Sequence, residues 1–334
     1  MMSFFKFLLV FTFIFLPQIS KSYHPKITVL MYHRFDNEKH LATSISKEKF
    51  NQHINFLLKN NIKVKPLNEL VEILNEKEKI SEDLVFITVD DAYRSFYEIG
   101  FPILKKNKIP FSIFISSKFI SKNQNSDYMS WEMLKVLSEN NGLILNHSKS
   151  HRSLLDLSHK ELKEDIKQNQ ISINKKLGIQ PKIFSYPYGE SNNEIEKIIK
   201  NMGYQIAFSQ HSAPVAVNEN KFRLPRYSLN EEFGDLERFK LILSSYPLKI
   251  SQLDFNDTTV NTETLDLRFK TEFPSKLINC FINNSAQMLK KNNDKEVLLY
   301  IKNLRVDNRY RVNCTYKHTD NKIFWFGKMI KRVN

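Results

Sequence analysis

Leu84-Val85-Phe86-Ile87-Thr88-Val89-Asp90-Asp91 is a run of β-forming residues that ends abruptly in two adjacent carboxylates. An unbroken apolar run of this length reads as a strand covered on both faces, as in a parallel sheet flanked by helices, so the aspartates emerge at its C-terminal end. That end is where α/β folds keep their chemistry. Two neighbouring carboxylates repel each other, and seating them beside a buried strand is costly unless a metal ion or a cationic group compensates. A solvated Asp-Asp turn is the plainer alternative for this motif taken alone.

Outward from that strand, short β-like runs alternate with amphipathic helical patterns between Ile27 and Phe208, the signature of βα units. The strand candidates are Ile27–Tyr32, Ile62–Val64, Leu84–Val89, Phe111–Ile115, Leu143–Leu145, Ile183–Tyr186 and Gln205–Phe208. Seven such runs predict an α/β barrel or near-barrel. Phe50, Ile54, Leu57 and Leu58 read as one helix face, and Ser158-His159-Lys160-Glu161 as a capping box opening a helix that runs to a Gly178 C-cap. Another helix runs from about Asn193 to Gly203.

After Lys249 the texture changes to alternating segments between Asn/Asp-rich turns: Thr264–Phe269, Lys276–Ile282, Glu296–Ile301, Arg309–Tyr316 and Ile323–Met329. These predict a small all-β, sandwich-like domain over residues 250–334, behind a catalytic domain over 23–249. Cys280 and Cys314 fall on two of its strands, so either a bridge across the sandwich or two buried thiols is open to them.

The chain has 334 residues, 41% of them hydrophobic, enough for a large domain and a small one. Lys6 precedes the apolar run Phe7-Leu8-Leu9-Val10-Phe11-Thr12-Phe13-Ile14-Phe15-Leu16, and Ser20-Lys21-Ser22 offers small residues for cleavage. Residues 1–22 therefore read as a signal peptide and the protein as exported, to a periplasmic or extracellular site, with an uncleaved anchor as the alternative. The net charge of +14 suits peripheral contact with an acidic envelope surface. It is spread over many lysines rather than gathered in an arginine-aromatic patch, which speaks against nucleic acid.

A second chemical motif follows another strand: Asn146-His147-Ser148-Lys149-Ser150-His151. His at i and i+4 share a face if the chain turns helical, and can then meet one ion; alone, such a pair is more often incidental. The metallopeptidase reading needs Glu after the first His and finds Ser148. Two His and one Asp leave a coordination position open, as catalytic Zn²⁺ or a similar divalent ion requires, while the other Asp can serve as base. His33, after Ile27–Tyr32, stands where an acid could protonate a leaving group, or is a satisfied core histidine. Tyr186-Pro187-Tyr188-Gly189 could present a backbone N–H to an oxyanion, or is a packed turn.

In this order, Thr88-Val89-Asp90-Asp91, His147-Ser148-Lys149-Ser150-His151 and Tyr186-Pro187-Tyr188-Gly189 resemble the successive motifs of the NodB-homology polysaccharide deacetylases, carbohydrate esterase family 4. The resemblance runs from about Lys26 to Leu243. It implies a distorted (β/α)₇ barrel with Asp90 as base, Asp91, His147 and His151 as metal ligands, and the Tyr188 N–H in the oxyanion hole. Met31-Tyr32-His33 is similar to the circularly permuted branch, which includes exported de-N-acetylases of poly-β-1,6-N-acetylglucosamine and carries its acid histidine on the first strand.

There are departures from the family pattern. Ala92-Tyr93 follows the Asp pair where the family usually has Gly, so Tyr93 could narrow the cleft. Ser185 takes the place of a common Arg that orients the base, and Arg226, in Leu224-Pro225-Arg226, is the candidate to supply that charge. Trp131 resembles a common packing position. The function expected is removal of N-acetyl groups from an amino-sugar polysaccharide by a monomeric, metal-dependent enzyme. An O-acetyl esterase and an inactive glycan-binding barrel are the rival readings; the five side chains Asp90, Asp91, His147, His151 and His33 weigh against the latter.

Overall fold

The Asp90 strand lies inside a seven-stranded parallel sheet in the computed structural model of the chain, which describes residues 25–76, 80–121, 123, 126–283, 285–286 and 289–334. The segment 1–22 read as a signal peptide falls outside these residues. No helix among the described residues is long and apolar enough to cross a membrane.

The strands are Ile27–Tyr32 (β1), Leu84–Asp90 (β2), Phe111–Ile115 (β3), Gly142–Asn146 (β4), Ile183–Ser185 (β5), Ile206–Phe208 (β6) and Tyr227–Ser228 (β7). They are ordered β6-β5-β4-β3-β2-β1-β7. Every residue of β1 and β2 is buried, as two-sided coverage by helices requires. The sheet curls without closing: β6 and β7 are its edges, and Phe208 meets Leu224, just ahead of β7, through a single parallel bridge. This is the barrel-like α/β architecture expected from the sequence, with one strand exchanged. Ile62–Val64 makes only an isolated bridge, Val64 to Val85. Pro66 has no N–H with which to continue a ladder there, and Ile62 and Val64 are only half-buried. The seventh strand is instead Tyr227–Ser228, too short to leave a periodic signature.

The helices pack their apolar stripes onto this sheet. Lys47–Lys59 (α1) is capped by Ser46 and buries Phe50, Ile54 and Leu57, whereas Leu58, a further 100° round the helix, is 44% exposed rather than part of that face. Trp131 opens Trp131–Ser138 (α2) and packs on the barrel core. His159–Leu177 (α3) begins with the expected capping box at Ser158 and Glu161 and ends at Gly178 in the left-handed conformation. Asn193–Asn201 (α4) follows the Tyr188 turn.

The C-terminal region holds a six-stranded sheet and a four-stranded sheet. Leu267, Phe269, Val297 and Leu299 of one face Cys280, Val312, Cys314 and Ile330 of the other in a core of their own. Cys280 on Ile278–Ile282 (β8) and Cys314 on Arg309–Lys317 (β9) are direct cross-strand partners, 4.1 Å apart at Cα, and form a disulfide. The bridge thus lies within one sheet, not across the sandwich, because register brings the two residues opposite each other on neighbouring strands. The last strand, Ile323–Arg332 (β10), also pairs with Ser245–Pro247, where the chain leaves the barrel. Gly327 on β10 is needed for this docking: a Cβ there would stand 2.2 Å from the Ser212 carbonyl oxygen of the barrel.

Candidate active site

At the end of β2 the backbone enters the left-handed region at two successive residues, Asp91 (φ 73°) and Ala92 (φ 55°). This sharp turn sends the two adjacent carboxylates to different partners.

Asp90 is wholly buried and accepts both terminal nitrogens of Arg226, Nη1 to Oδ1 and Nη2 to Oδ2, each at 2.7 Å. Arg226 is itself wholly buried, and its remaining donors reach the Thr88 hydroxyl (3.2 Å), the Ser185 hydroxyl (2.8 Å) and the Ser209 carbonyl (3.3 Å). All five N–H groups of the guanidinium are therefore used, and its plane lies against Phe114 and Phe208. Burial, the largest single influence, would raise the Asp90 carboxyl, but the Arg226 charge and hydrogen bonds together with His147 and His33 outweigh it and hold the group below its ordinary value. Ser185 contributes a hydroxyl that accepts the second N–H of Arg226 Nη2.

Asp91 turns to the histidines. His151 Nε2 stands 3.1 Å and His147 Nε2 3.6 Å from Asp91 Oδ1. The His147–His151 segment is not helical as the i, i+4 reading assumed; Ser148 and His151 both have positive φ. The physical reason is side-chain competition for the backbone. Asn146 Oδ1 accepts the Ser148 N–H, Asp165 of α3 accepts those of Lys149 and Ser150, and Asn169 of α3 donates to Asn146. A stapled turn thus brings the two imidazoles to 4.9 Å, in an edge-to-face arrangement. His147 Nδ1 donates to the Ser185 carbonyl at 2.7 Å, which sets the tautomer and turns the Nε2 lone pair toward Asp91.

Both Asp91 Oδ1 and His147 Nε2 are buried with no hydrogen-bond partner. Buried polar atoms are nearly always satisfied, so two orphans aimed at one point mark a place for an electrophile. Donor atoms of Asp91, His147 and His151 lie within 4.8 Å of one another, and one carboxylate oxygen with two imidazole nitrogens is a donor set that suits a divalent transition-metal ion with an open position. The residues fit the group. Burial pushes His147 down to about 4, keeping it neutral as a ligand must be. In Asp91, burial is outweighed by the neighbouring histidines, which hold the carboxyl well below its usual range.

The remaining expected residues converge on the same mouth. His33 is buried, with Nε2 3.9 Å from Asp90 Oδ2, the oxygen that is also 4.0 Å from His147 Nε2. Tyr188 adopts φ 59°, an unusual conformation for a tyrosine, and its ring lies 4.7 Å from that of His151. Gly189 beside it is required, since a Cβ would stand 2.4 Å from the Gln210 backbone nitrogen. Tyr93 is withdrawn rather than lining an open cleft: it stacks near Tyr128, and the Arg34 guanidinium covers its ring at 3.5 Å. The reading of the sequence passed over Ser209, Asp165 and Asn169; of these, Asp165 and Asn169 sit one turn apart on α3, a polar pair on a buried edge that could have been found.

Residues 77–207 match the family model described as polysaccharide deacetylase. The matched part of the barrel is similar to a polysaccharide deacetylase domain. That match takes in Asp90, Asp91, His147, His151 and Tyr188 and stops short of both His33 and Arg226, so the site draws two of its inner residues from outside the matched stretch. The chain is 28% identical over 211 residues to a poly-β-1,6-N-acetyl-D-glucosamine N-deacetylase of Staphylococcus aureus, covering 59% of this chain and 72% of the relative. Its fold is that of the Streptococcus pyogenes deacetylase PplD (TM-score 0.60, 18% identity, 65% of this chain and 98% of that one). IcaB from Ammonifex degensii is similar in the same way (TM-score 0.57, 23% identity, 66% and 97%). Both neighbours are nearly covered while about a third of this chain is left over, so the C-terminal β-rich region is additional to the shared deacetylase fold.

Proposed function

We propose that this deacetylase is an exported, metal-dependent de-N-acetylase acting on a glycan that contains N-acetylglucosamine. The observation that carries the reading is the pair of buried, unpartnered donors on Asp91 and His147 beside an Asp90 already locked by Arg226. Asp91, His147 and His151 would hold one divalent ion, Zn²⁺ by its preference for such donors. When bound, the ion supplies Lewis acidity, activating water and polarising the acetamide carbonyl.

The protein's own groups complete the reaction. Asp90, kept ionised by Arg226, offers Oδ2 to the proton of the attacking water. Within the Tyr188 turn the Gly189 and Glu190 amides are occupied by the Tyr186 and Pro187 carbonyls, and the Tyr188 N–H is the amide assigned to the developing oxyanion. His33, across from Asp90, gives its proton to the departing amine. The S. aureus relative supports the substrate class, and the apolar N-terminal run with the Cys280–Cys314 disulfide supports export.

Acetate release from defined N-acetylglucosamine oligomers, before and after chelation and re-addition of Zn²⁺, tests the reading. Asp90→Asn should retain metal and lose about 10²–10⁴ in turnover, the usual worth of a positioned base. Near-normal release by Asp90→Asn would overturn the mechanism, and release from O-acetylated xylan alone would overturn the substrate.

A further inference from the structure

The turn that carries Tyr188 is also where the C-terminal β domain meets the barrel. Glu190, two residues further on, is buried, and its carboxylate receives the Ser153 hydroxyl, the Lys331 ammonium at 3.0 Å and the Arg309 guanidinium at 3.6 Å. Ser153 lies just beyond His151, and Arg309 and Lys331 are cross-strand partners on β9 and β10. A single carboxylate thus ties together the histidine loop, the Tyr188 turn and the β domain. The same seam is held by the Thr258 hydroxyl on the Ser191 carbonyl, by Asp257 accepting the Asn193 N–H, and by Arg223 on the Asn256 carbonyl.

The two cations at Glu190 differ in exposure. Lys331 is buried behind the carboxylate. The Arg309 side chain keeps 36% of its surface, and its guanidinium lies 5.1 Å from the centre of the Tyr188 ring, within cation–π range. Tyr188 is 38% exposed, and its ring also meets that of His151. Two cations against one carboxylate leave one positive charge, and the solvent-facing member of the group is Arg309. The β domain therefore delivers a cation to the rim of the catalytic mouth.

We infer that Arg309 is a specificity-determining residue, through which the β domain makes the barrel discriminate against glycan whose neighbouring sugar already carries a free amine. The inference rests on the de-N-acetylase reading and adds a preference to it. Each turnover converts a neutral acetamide into an amine that is protonated at neutral pH. A fixed guanidinium beside Tyr188 repels such a sugar when it occupies the adjoining position, while neutral acetylated or anionic sugars are accepted. Successive deacetylations are thereby spaced along the chain rather than run together. Arginine suits the place because its planar cation can lie on the Tyr188 ring while its Nε stays in ion-pair range of Glu190.

The test compares kcat/KM for two N-acetylglucosamine oligomers of equal length, one fully acetylated and one with a free amine on the sugar next to the scissile acetamide. The full-length protein, loaded with Zn²⁺, is assayed as wild type, Arg309→Lys, Arg309→Gln and Arg309→Glu. Wild type should favour the fully acetylated oligomer through KM, by about two- to fivefold for one cation in a partly solvated cleft. Arg309→Lys should keep that preference, Arg309→Gln erase it and Arg309→Glu reverse it, with matching melting temperatures as the folding control. Raising the salt should shrink the wild-type preference, a readout that needs no variant. A wild-type preference that is absent or indifferent to salt, or one unchanged in a folded Arg309→Glu, overturns the inference. Absence of acetate release from either oligomer by wild type instead defeats the de-N-acetylase reading itself.

Discussion

The Arg226 pocket around Asp90 and the cluster of Asp91, His147 and His151 lie side by side at the end of one strand, yet their polar accounting is opposite. Around Asp90 every guanidinium donor has an acceptor and both carboxylate oxygens are bonded. One residue further on, a carboxylate oxygen and an imidazole nitrogen are buried outside any well-formed hydrogen bond, the oxygen facing His151 Nε2 at 3.1 Å. The first is a completed charge pair, whose removal in part should be far worse than its presence is good. The second is a set of donors left outside any hydrogen bond. In the proposed reaction, satisfaction rather than charge separates the carboxylate assigned to the proton from the one assigned to the ion.

The largest effect expected from this contrast is on stability. Arg226→Met should lose about 3–5 kcal/mol in urea unfolding, since it strands Asp90 as an unpaired buried charge. The double variant Arg226→Met/Asp90→Asn should recover part of that loss. A loss under about 1 kcal/mol for Arg226→Met would mean that Asp90 is held by something other than the fork.

On the other side of the contrast, Asp91→Asn should cost the metal-free protein less than Arg226→Met does, because it gives up the ion pair with His151 but strands no wholly buried charge. Its effect should surface on adding Zn²⁺. At a hundred times the dissociation constant the ion stabilises a one-site protein by about 2.7 kcal/mol, a gain wild type should show in thermal melts and Asp91→Asn should lack. An equal Zn²⁺ shift in both proteins would remove Asp91 from the site.

Acid should separate the two regions. A carboxyl whose folded value is depressed contributes stability above its unfolded value and loses it as pH falls through the folded one, so the Asp90 contribution persists until pH drops below about 3.8, its ordinary value. His147 is depressed from 6.5 to about 4, so its contribution is complete above 6.5 and lost as pH falls toward 4. Stability of the chelator-treated protein should decline in that upper window first, and less steeply in His147→Gln. His53 and His211, pushed down by burial to about 4 and about 3, titrate in both proteins and cancel in the difference. His151, raised by Asp91, has the opposite slope, losing its contribution as pH rises. Parallel curves for wild type and His147→Gln would show that His147 is not held neutral by its surroundings.

The smallest effect concerns the turn that divides the two regions. Ala92 is buried with φ 55°, where a Cβ costs about 1–2 kcal/mol that glycine avoids, while its buried methyl is worth about 0.8 kcal/mol. Ala92→Gly should therefore move stability by less than about 1 kcal/mol despite its place in the core, as denaturant melts can measure. A loss above 2 kcal/mol would mean that packing rather than backbone strain governs the turn.

Legibility in the sequence followed range. The β2 strand, the helix faces and the capping box at Ser158 were readable because each rests on contacts between residues a few positions apart. The condition attached to His147–His151, that the chain turn helical, is not met because Asn146 and Ser148 side chains bond the backbone, with help from Asp165 and Asn169 on a separate helix. Ile62–Val64 failed as a strand and Tyr227–Ser228 went unseen, one resembling a strand without a place in the sheet and the other having a place without a pattern.

From the sequence alone came the composition of the site: a doublet of aspartates at a buried strand end, a histidine pair after another strand, and His33 after a third. Which aspartate pairs with a cation and which is left with an open oxygen was decided by tertiary structure, because Arg226 stands 136 positions from Asp90 and reaches it only through the curl of the sheet. The same holds for Arg309, which no local pattern connects to Tyr188. Local periodicity sets backbone state over a few residues, whereas the fate of a buried charge depends on whichever distant group the fold sets against it.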